Sequence, residues 1–382
     1  MVNKILYCAT VDYHFKAFHL PYMKWFKELG WEVDVAAAGE IDLPYTDRKY
    51  NIPIKRSPYD KSNIDAYRIL KEIIDKNDYN IIHCHTPLGG VLTRLAARQA
   101  RRKGTKVMYT AHGFHFCKGA PLLNWFVYYP IERYLSRYTD SLITINDEDF
   151  NLAIKHRFKA KNIEHVFGVG IDTEKFKPID QQKKITLKQS FGYKSDDFLL
   201  FNAGEFNKNK NQQFLIHAIK RLENKYVNIK LLLAGEGETL EKCRKLATRL
   251  GVSHMVDFLG FRNNIEDILP ACDLAVASSF REGLPVNIME AMSCGLPILA
   301  VENRGHRDLV SHYKNGLIIK NWNVDKFAEQ VRLLAYKNEF RTQLGENGRK
   351  MIVEKFSTKK VLMELSRIYR TYMEGEQMWA VH

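Results

Sequence analysis

Residues 273–297 read Asp273-Leu274-Ala275-Val276-Ala277-Ser278-Ser279-Phe280-Arg281-Glu282-Gly283-Leu284-Pro285-Val286-Asn287-Ile288-Met289-Glu290-Ala291-Met292-Ser293-Cys294-Gly295-Leu296-Pro297. The opening run, unbroken in its apolar residues from Leu274 to Ala277, is that of a strand buried on both faces, as in a parallel sheet. Gly283 and Pro285 then mark a loop giving way to a helix, with proline near the first helical position, where its missing N–H costs nothing. The helix is expected from about Val286 to Cys294 and is stopped by Gly295-Leu296-Pro297. The loop between strand and helix is where open α/β sheets bind ligands. Glu282 falls just before the helix and Glu290 two turns inside it. Between them, free N–H groups and the positive end of the helix dipole suit an anion. A phosphate there would have a carboxylate on either side to hold neutral hydroxyls, which is the layout of a nucleotide sugar. Two glutamates at this spacing also occur on ordinary solvated helices; the buried strand before them is what favours a site.

The same alternation runs through the whole chain. Strands are expected at Lys4–Ala9, Glu32–Ala37, Ile81–His85, Lys106–Thr110, Ser141–Ile145 and Asn162–Val166. Helices fall between them, among others Ser62–Lys76 with Ser62 as N-cap, and Gly89–Lys103. After the polar stretch Pro178–Lys184 a second series follows: Phe198–Ala203, Ile229–Ala234, Met255–Leu259, Asp273–Ala277, Ile298–Val301 and Gly316–Ile319. Strands alternating with helices indicate an α/β protein with doubly wound parallel sheets. A chain of 382 residues is too long for one ordinary core, so two domains are expected, 1–180 and 181–357, followed by a last helix from Thr358.

Composition narrows the class. No apolar run approaches the ~20 residues that span a bilayer. The N-terminus enters a strand at once, without a signal-peptide layout, so a cytoplasmic protein is expected. The six cysteines form no CxxC pair, which suggests neither a zinc-ribbon site nor a disulfide framework. A net charge of +14, spread over both halves, implies an anionic partner such as nucleotide phosphate or lipid headgroup. Neither half carries a known nucleic-acid module, and none is expected as partner.

Several local patterns carry chemistry. In Gly204-Glu205-Phe206-Asn207-Lys208-Asn209-Lys210-Asn211 a strand ends at Gly204, and a loop with two lysines leads into a helix over 211–224. Lysines at the carboxyl end of a strand are placed for phosphate charge. Gly235-Glu236-Gly237 is a weak glycine signal, close to an ordinary turn. His112 follows a strand end directly. His83 and His85 close another strand; they are taken to point to opposite sides, with His85 offered to the site. His14 and His19 follow the first strand, and His115 follows His112. Asp147-Glu148-Asp149 looks like a metal triad but is read as the opening of a helix, where acids suit the dipole.

The segment from Phe258 to Gly316 resembles the nucleotide-sugar half of the family 4 glycosyltransferases, retaining enzymes of the GT-B fold. The resemblance rests on Phe258-Leu259-Gly260-Phe261, Ile268-Leu269-Pro270-Ala271-Cys272-Asp273-Leu274, Ser278-Ser279 through Gly283-Leu284-Pro285, Glu290-Ala291-Met292, Gly295-Leu296-Pro297 and Asn315-Gly316. It extends more weakly over the chain and is closest to bacterial enzymes of capsule and exopolysaccharide synthesis. It implies two Rossmann-like domains facing across a cleft, with the helix from 358 (and the tail to 382) crossing back to the first. It also implies a UDP-sugar donor and neither cofactor nor metal. Lys210 matches a diphosphate-binding lysine. Glu205 stands where an arginine is usual, so Lys208 or a residue elsewhere would supply the second cation. Gly204, Gly235, Gly260, Phe261 and Arg262 would lie about the nucleotide. Glu282, with Gly283, Leu284 and Pro285, would hold the donor sugar and diphosphate, and Glu290 the ribose. His112 would face the reacting carbon; His14, His19, His85, His112 and His115 would serve the acceptor side.

Arg94, Arg98, Arg101, Arg102, Lys103 and Lys106 form a basic run with no acid among them. Phe114-His115-Phe116 and Pro121–Pro130 follow. Basic residues beside an apolar aromatic segment suit an anionic membrane surface, although a core helix beside a solvated basic face would read the same. The expectation is a hexosyl- or N-acetylhexosaminyltransferase acting on a polyprenyl-diphosphate-linked saccharide at the cytoplasmic membrane face. A UDP-sugar epimerase of the same fold and a non-catalytic membrane-associated scaffold are the alternatives.

Overall fold

The structure is a computed structural model that describes residues 2–223 and 228–373. It divides into two units, Met1–Gly170 with Thr358–His382, and Ile171–Ser357.

The N-terminal unit is built on a seven-stranded sheet in the order β3-β2-β1-β4-β5-β6-β7. Its strands are β1 (Lys4–Val11), β2 (Glu32–Ala38), β3 (Arg48–Asn51), β4 (Ile81–His85), β5 (Lys106–Ala111), β6 (Ser141–Thr144) and β7 (Asn162–His165). Every pairing is parallel. Alternate residues of β1 feed opposite layers: Leu6 and Cys8 enter one apolar core, Ile5, Tyr7 and Ala9 the other. The helix Thr358–Met373 closes the second layer with Val361, Leu365 and Tyr369. Residues 374–382 of the tail lie outside the described residues.

β3 is not visible in the sequence pattern. It reads Arg-Lys-Tyr-Asn, the polar composition of an edge strand that needs protection from further pairing. Ser62 is the first residue of its helix rather than the N-cap; Asp60 Oδ1 accepts from its N–H and its hydroxyl. The helix expected at Gly89–Lys103 starts at Pro87 and breaks at Ala97, whose ψ of −1° ends one segment and begins Arg98–Arg102.

The C-terminal unit carries a six-stranded parallel sheet, β10-β9-β8-β11-β12-β13. The strands are β8 (Phe198–Ala203), β9 (Ile229–Ala234), β10 (Val256–Gly260), β11 (Leu274–Ala277), β12 (Ile298–Val301) and β13 (Gly316–Ile319). The order reverses between β8 and β11, so the loops after these two strands flank a topological switch point. Asp273 precedes β11 and accepts from Leu199 N–H, Lys184 and Lys188 at 2.7–2.9 Å, pinning the helix Gln181–Ser190 to the sheet.

The unit begins at Ile171, ten residues before the boundary expected at 180/181. Ile171 N–H bonds Phe356 O, and Phe176 O accepts from the Ser293 hydroxyl, so residues 171–180 belong to the second core. The polar stretch that reads as a linker is instead a helix start, with Asp180 capping Lys183 N–H.

Candidate functional site

Three strand ends of the C-terminal unit are laced together at backbone level. Gly204 N–H bonds Ala234 O, Gly235 N–H bonds Gly260 O, and Phe206 N–H bonds Glu236 O. Such close approach demands glycine. Gly235 has φ +138°, and a Cβ there would stand 2.1 Å from Gly204 O. The weak Gly235-Glu236-Gly237 signal is therefore a structural requirement of these loops.

The lysine loop is sewn to the loop after β11. Ser278 Oγ donates to the carbonyls of Lys210 and Asn211, Phe280 N–H bonds Asn209 O, and Asn209 Nδ2 donates to Arg281 O. Asn211 accepts the left-handed conformation needed to start the helix Gln212–Leu222. The result puts Lys210 Nζ 2.7 Å from Glu282 Oε1, both side chains being about one-fifth exposed. Lys208 and Glu205 are exposed.

Glu282 leads into the helix Val286–Ser293, whose N-cap Pro285 supplies no side-chain cap. The first-turn N–H groups are therefore not satisfied by a capping side chain. Asn287 Nδ2 donates to Ala203 O, fixing this helix to the end of β8. Glu290 lies half-buried inside it. Burial pushes its carboxyl up to about 7, against the opposing pull of Lys175. The Glu290 carboxylate has no hydrogen-bond or ion-pair partner among the described residues. On the β10 loop, Phe261 is exposed and Arg262 Nε donates to Asn264 Oδ1.

Residues missed in the sequence complete this site. Arg304 Nε donates to Glu282 O at 2.9 Å. A Cβ on Gly305 would lie 2.7 Å from Gly283 O and 2.9 Å from Glu282 Cβ. His306 donates from Nδ1 to Val301 O and leaves Nε2 buried without a partner. Burial holds its pKa down at about 4, against the pull of Glu282, while Lys210 lowers it further. The signal that could have found these residues was the polar run Glu302–Arg307 directly after an apolar strand.

In the N-terminal unit His14, His19, His85 and His112 come together, one ring nitrogen of each lying within 4.8 Å of the other three. His83 and His85 do not point apart. Their rings are 4.2 Å from centroid to centroid, because residues two apart on a strand share a face. His83 bonds Tyr369 and Thr110 instead. His115 lies apart from the four, its ring tilted against Tyr128 at 4.8 Å between centroids. With His14, Thr10, Thr86 and Val91 it lines an apolar cavity of about 600 Å³. Asp147–Asp149 opens the helix Asp147–Lys155, with Asn146 as cap.

The basic run is not one surface. Arg94 is fully buried, 2.8 Å from Glu132 and stacked on Tyr109, and Arg101 grips Asp140 with two bonds. Phe114 and Phe116 are core residues stacked at 4.7 Å. The helix Leu122–Leu135 does present apolar residues outward: Leu122, Leu123 and Phe126 are 75%, 68% and 77% exposed, with Val127, Ile131 and Tyr134 continuing the stripe. No helix among the described residues is long and apolar enough to cross a membrane.

Comparison with known proteins shows the family and the fold. Residues 183–351 match the model of glycosyl transferases group 1, and residues 4–146 that of glycosyl transferase 4-like proteins. The chain is 49% identical over 374 residues, 98% of each protein, to the Bacillus subtilis (strain 168) protein named "Putative glycosyltransferase EpsD". The chain belongs to the glycosyltransferases. It is also 30% identical over 81% of its length, and 79% of the relative's, to the UDP-Gal:alpha-D-GlcNAc-diphosphoundecaprenol alpha-1,3-galactosyltransferase of Escherichia coli. The capsular polysaccharide biosynthesis glycosyltransferase CapM of Staphylococcus aureus is 24% identical over 93% of this chain and 94% of its own. Among solved structures, Anabaena Alr3699/HepE in complex with UDP and glucose superimposes with a TM-score of 0.80 over 97% of this chain and all of that one, at 19% identity. The fold of this glycosyltransferase is GT-B, and its relatives include a glycosyltransferase of capsular polysaccharide biosynthesis.

Proposed function

We propose that this glycosyltransferase moves a hexose or N-acetylated amino sugar from a UDP-sugar to a saccharide carried on a polyprenyl diphosphate, with retention at the anomeric carbon. The observation that carries the reading is the Lys210–Glu282 pair at the mouth of the helix Val286–Ser293, with the unpartnered Glu290 carboxyl two turns beyond. The diphosphate is assigned to Lys210 and the helix end, donor-sugar hydroxyls to Glu282, and the ribose to Glu290. His112 is assigned to the donor sugar beside the acceptor. In the transfer, the bond from the anomeric carbon to phosphate breaks and the acceptor oxygen bonds on the same face. The acceptor proton passes to the departing phosphate oxygen, so no separate general base is required. The protein's task is to stabilise charge growing on the diphosphate, for which a preorganised cation and helix dipole are suited.

The acceptor assignment has two supports. The Escherichia coli relative is named for a diphosphoundecaprenol acceptor. In this chain the apolar cavity beside His14 and His115 adjoins the helix Leu122–Leu135 through Val127, Tyr128 and Ile131. We assign the exposed apolar stripe of that helix to the membrane interface, the exposed Arg102, Lys103 and Lys118 supplying attraction to anionic headgroups.

The test is incubation with a panel of UDP-sugars and a synthetic prenyl-diphosphate saccharide, with product mass and anomeric configuration read out. Acceptor-dependent transfer with retained configuration is expected. Conversion of a UDP-sugar without acceptor would indicate an epimerase. Thermal stabilisation by UDP should exceed that by GDP or ADP; equal or absent stabilisation would remove the nucleotide assignment.

A further inference from the structure

We propose that His14, His19, His85 and His112 bind a divalent transition-metal ion, with zinc the expected occupant. The four imidazoles come from separate parts of the N-terminal unit. His14 lies in the helix Tyr13–Phe18, His19 just after it, His85 at the end of β4, and His112 immediately after β5. The fold brings one nitrogen of each ring within 4.8 Å of the other three. His14 Nε2 and His19 Nε2 are 3.0 Å apart, and His85 Nδ1 and His112 Nε2 are 3.2 Å apart. Zinc–imidazole bonds of about 2.0–2.1 Å in a tetrahedron set nitrogens about 3.3 Å apart. Two of the edges are therefore already at ligand spacing.

The donor chemistry selects the class of ion. All four ligands are imidazoles, without thiolate or carboxylate, which suits zinc, copper, nickel or cobalt rather than magnesium or calcium. A void of about 10 Å³ is lined in part by His19, His85 and His112. The surrounding packing holds the ring positions: His83 lies against His85 and is fixed by Tyr369 and Thr110, and Tyr7 stacks parallel to His85.

The family resemblance implies no metal anywhere in this chain, and the site is proposed against that expectation; the leaving diphosphate itself is assigned to residues of the C-terminal unit. The histidine site does not depend on that assignment or on transfer activity. The competing account is two hydrogen-bonded pairs of neutral imidazoles with no ion.

The experiment is elemental analysis of the full chain, produced without a polyhistidine tag and dialysed, followed by Co²⁺ titration monitored in the visible. About one equivalent of zinc per chain is expected, with cobalt d–d bands of a nitrogen-ligated site. Both should be lost in His14→Asn/His19→Asn and in His85→Gln. Near-UV circular dichroism reports whether each variant keeps its fold. Less than a tenth of an equivalent in the wild type, with no cobalt spectrum, overturns the proposal. So does stoichiometric metal retained by both folded variants. If a variant fails to fold, the wild-type stoichiometry and cobalt spectrum decide alone.

Discussion

Lys210 Nζ stands 2.7 Å from Glu282 Oε1, so two side chains assigned to different parts of one substrate fix each other's positions. Residues that act as a unit lose function non-additively. Lys210→Ala is expected to lower turnover by about 10²–10³-fold, the usual loss when a preorganised charge partner of a transition state is removed. The Lys210→Ala/Glu282→Ala double variant should be no more than about threefold worse than the poorer single variant. Initial rates with saturating UDP-sugar check this; strictly multiplicative losses would show that the two groups act separately.

Glu290 gives a pH signature. Its carboxyl titrates at about 7 in the folded chain against 4.5 in the open chain. The folded state therefore holds the proton more tightly, and stability falls as pH rises from 4.5 to 7. Above 7 the ionised, half-buried carboxylate carries its full penalty. Glu290→Gln should stabilise the protein by about 1–3 kcal/mol at pH 8 and change little at pH 4.5. Melting temperatures at the two values test the sign. UDP affinity should meanwhile rise with pH through 7 in the wild type, since the ionised carboxylate is the better acceptor for ribose hydroxyls, and this rise should be absent in the variant.

Gly305 touches the loop that carries Glu282. A methyl group there would stand 2.7 Å from Gly283 O, a contact the loop must yield to. Gly305→Ala is expected to cost about 1–3 kcal/mol by overpacking and to weaken UDP-sugar binding at least tenfold. Calorimetric titration with UDP-sugar and UDP separates the two effects. Unchanged affinity for both would mean that the loop does not hold the donor.

Leu123 and Phe126 are 68% and 77% exposed, so replacing both with Asp should leave folding within about 0.5 kcal/mol per site. Removing two apolar anchors of about 1.5–3 kcal/mol each should lower binding to anionic vesicles by more than tenfold, with turnover of a short-chain soluble acceptor preserved. Vesicle sedimentation and a soluble-acceptor assay together decide whether this face meets lipid.

Much of the fold was legible because buried parallel strands announce themselves as apolar runs: β4, β8, β9, β12 and β13 begin and end where the pattern places them. β3 was hidden because an edge strand is polar by necessity. Of the candidate site, the lysine loop and the two glutamates follow from strand–loop–helix order, which sequence records directly. Arg304, Gly305 and His306 were missed because their role depends on β12 lying beside β11, a spatial fact with no local signature. The histidines were grouped on the acceptor side only through the family resemblance; that four of them close on one another while His115 stays apart was not legible, since it depends on neighbouring strands ending at the same level. Arg94 misled because a guanidinium paired inside the core and one facing lipid are identical in sequence.

That buried pair has a mechanical side. Glu132 takes Arg94 Nη2 at 2.8 Å and Tyr109 hydroxyl at 3.4 Å, and it sits less than two turns from Phe126 on the helix Leu122–Leu135. Tyr109 belongs to β5, three residues before His112. The helix that bears the exposed stripe and the strand that ends beside the four histidines are therefore fastened to each other at one carboxylate, and Arg94→Met would leave that carboxylate charged in the core without its cation.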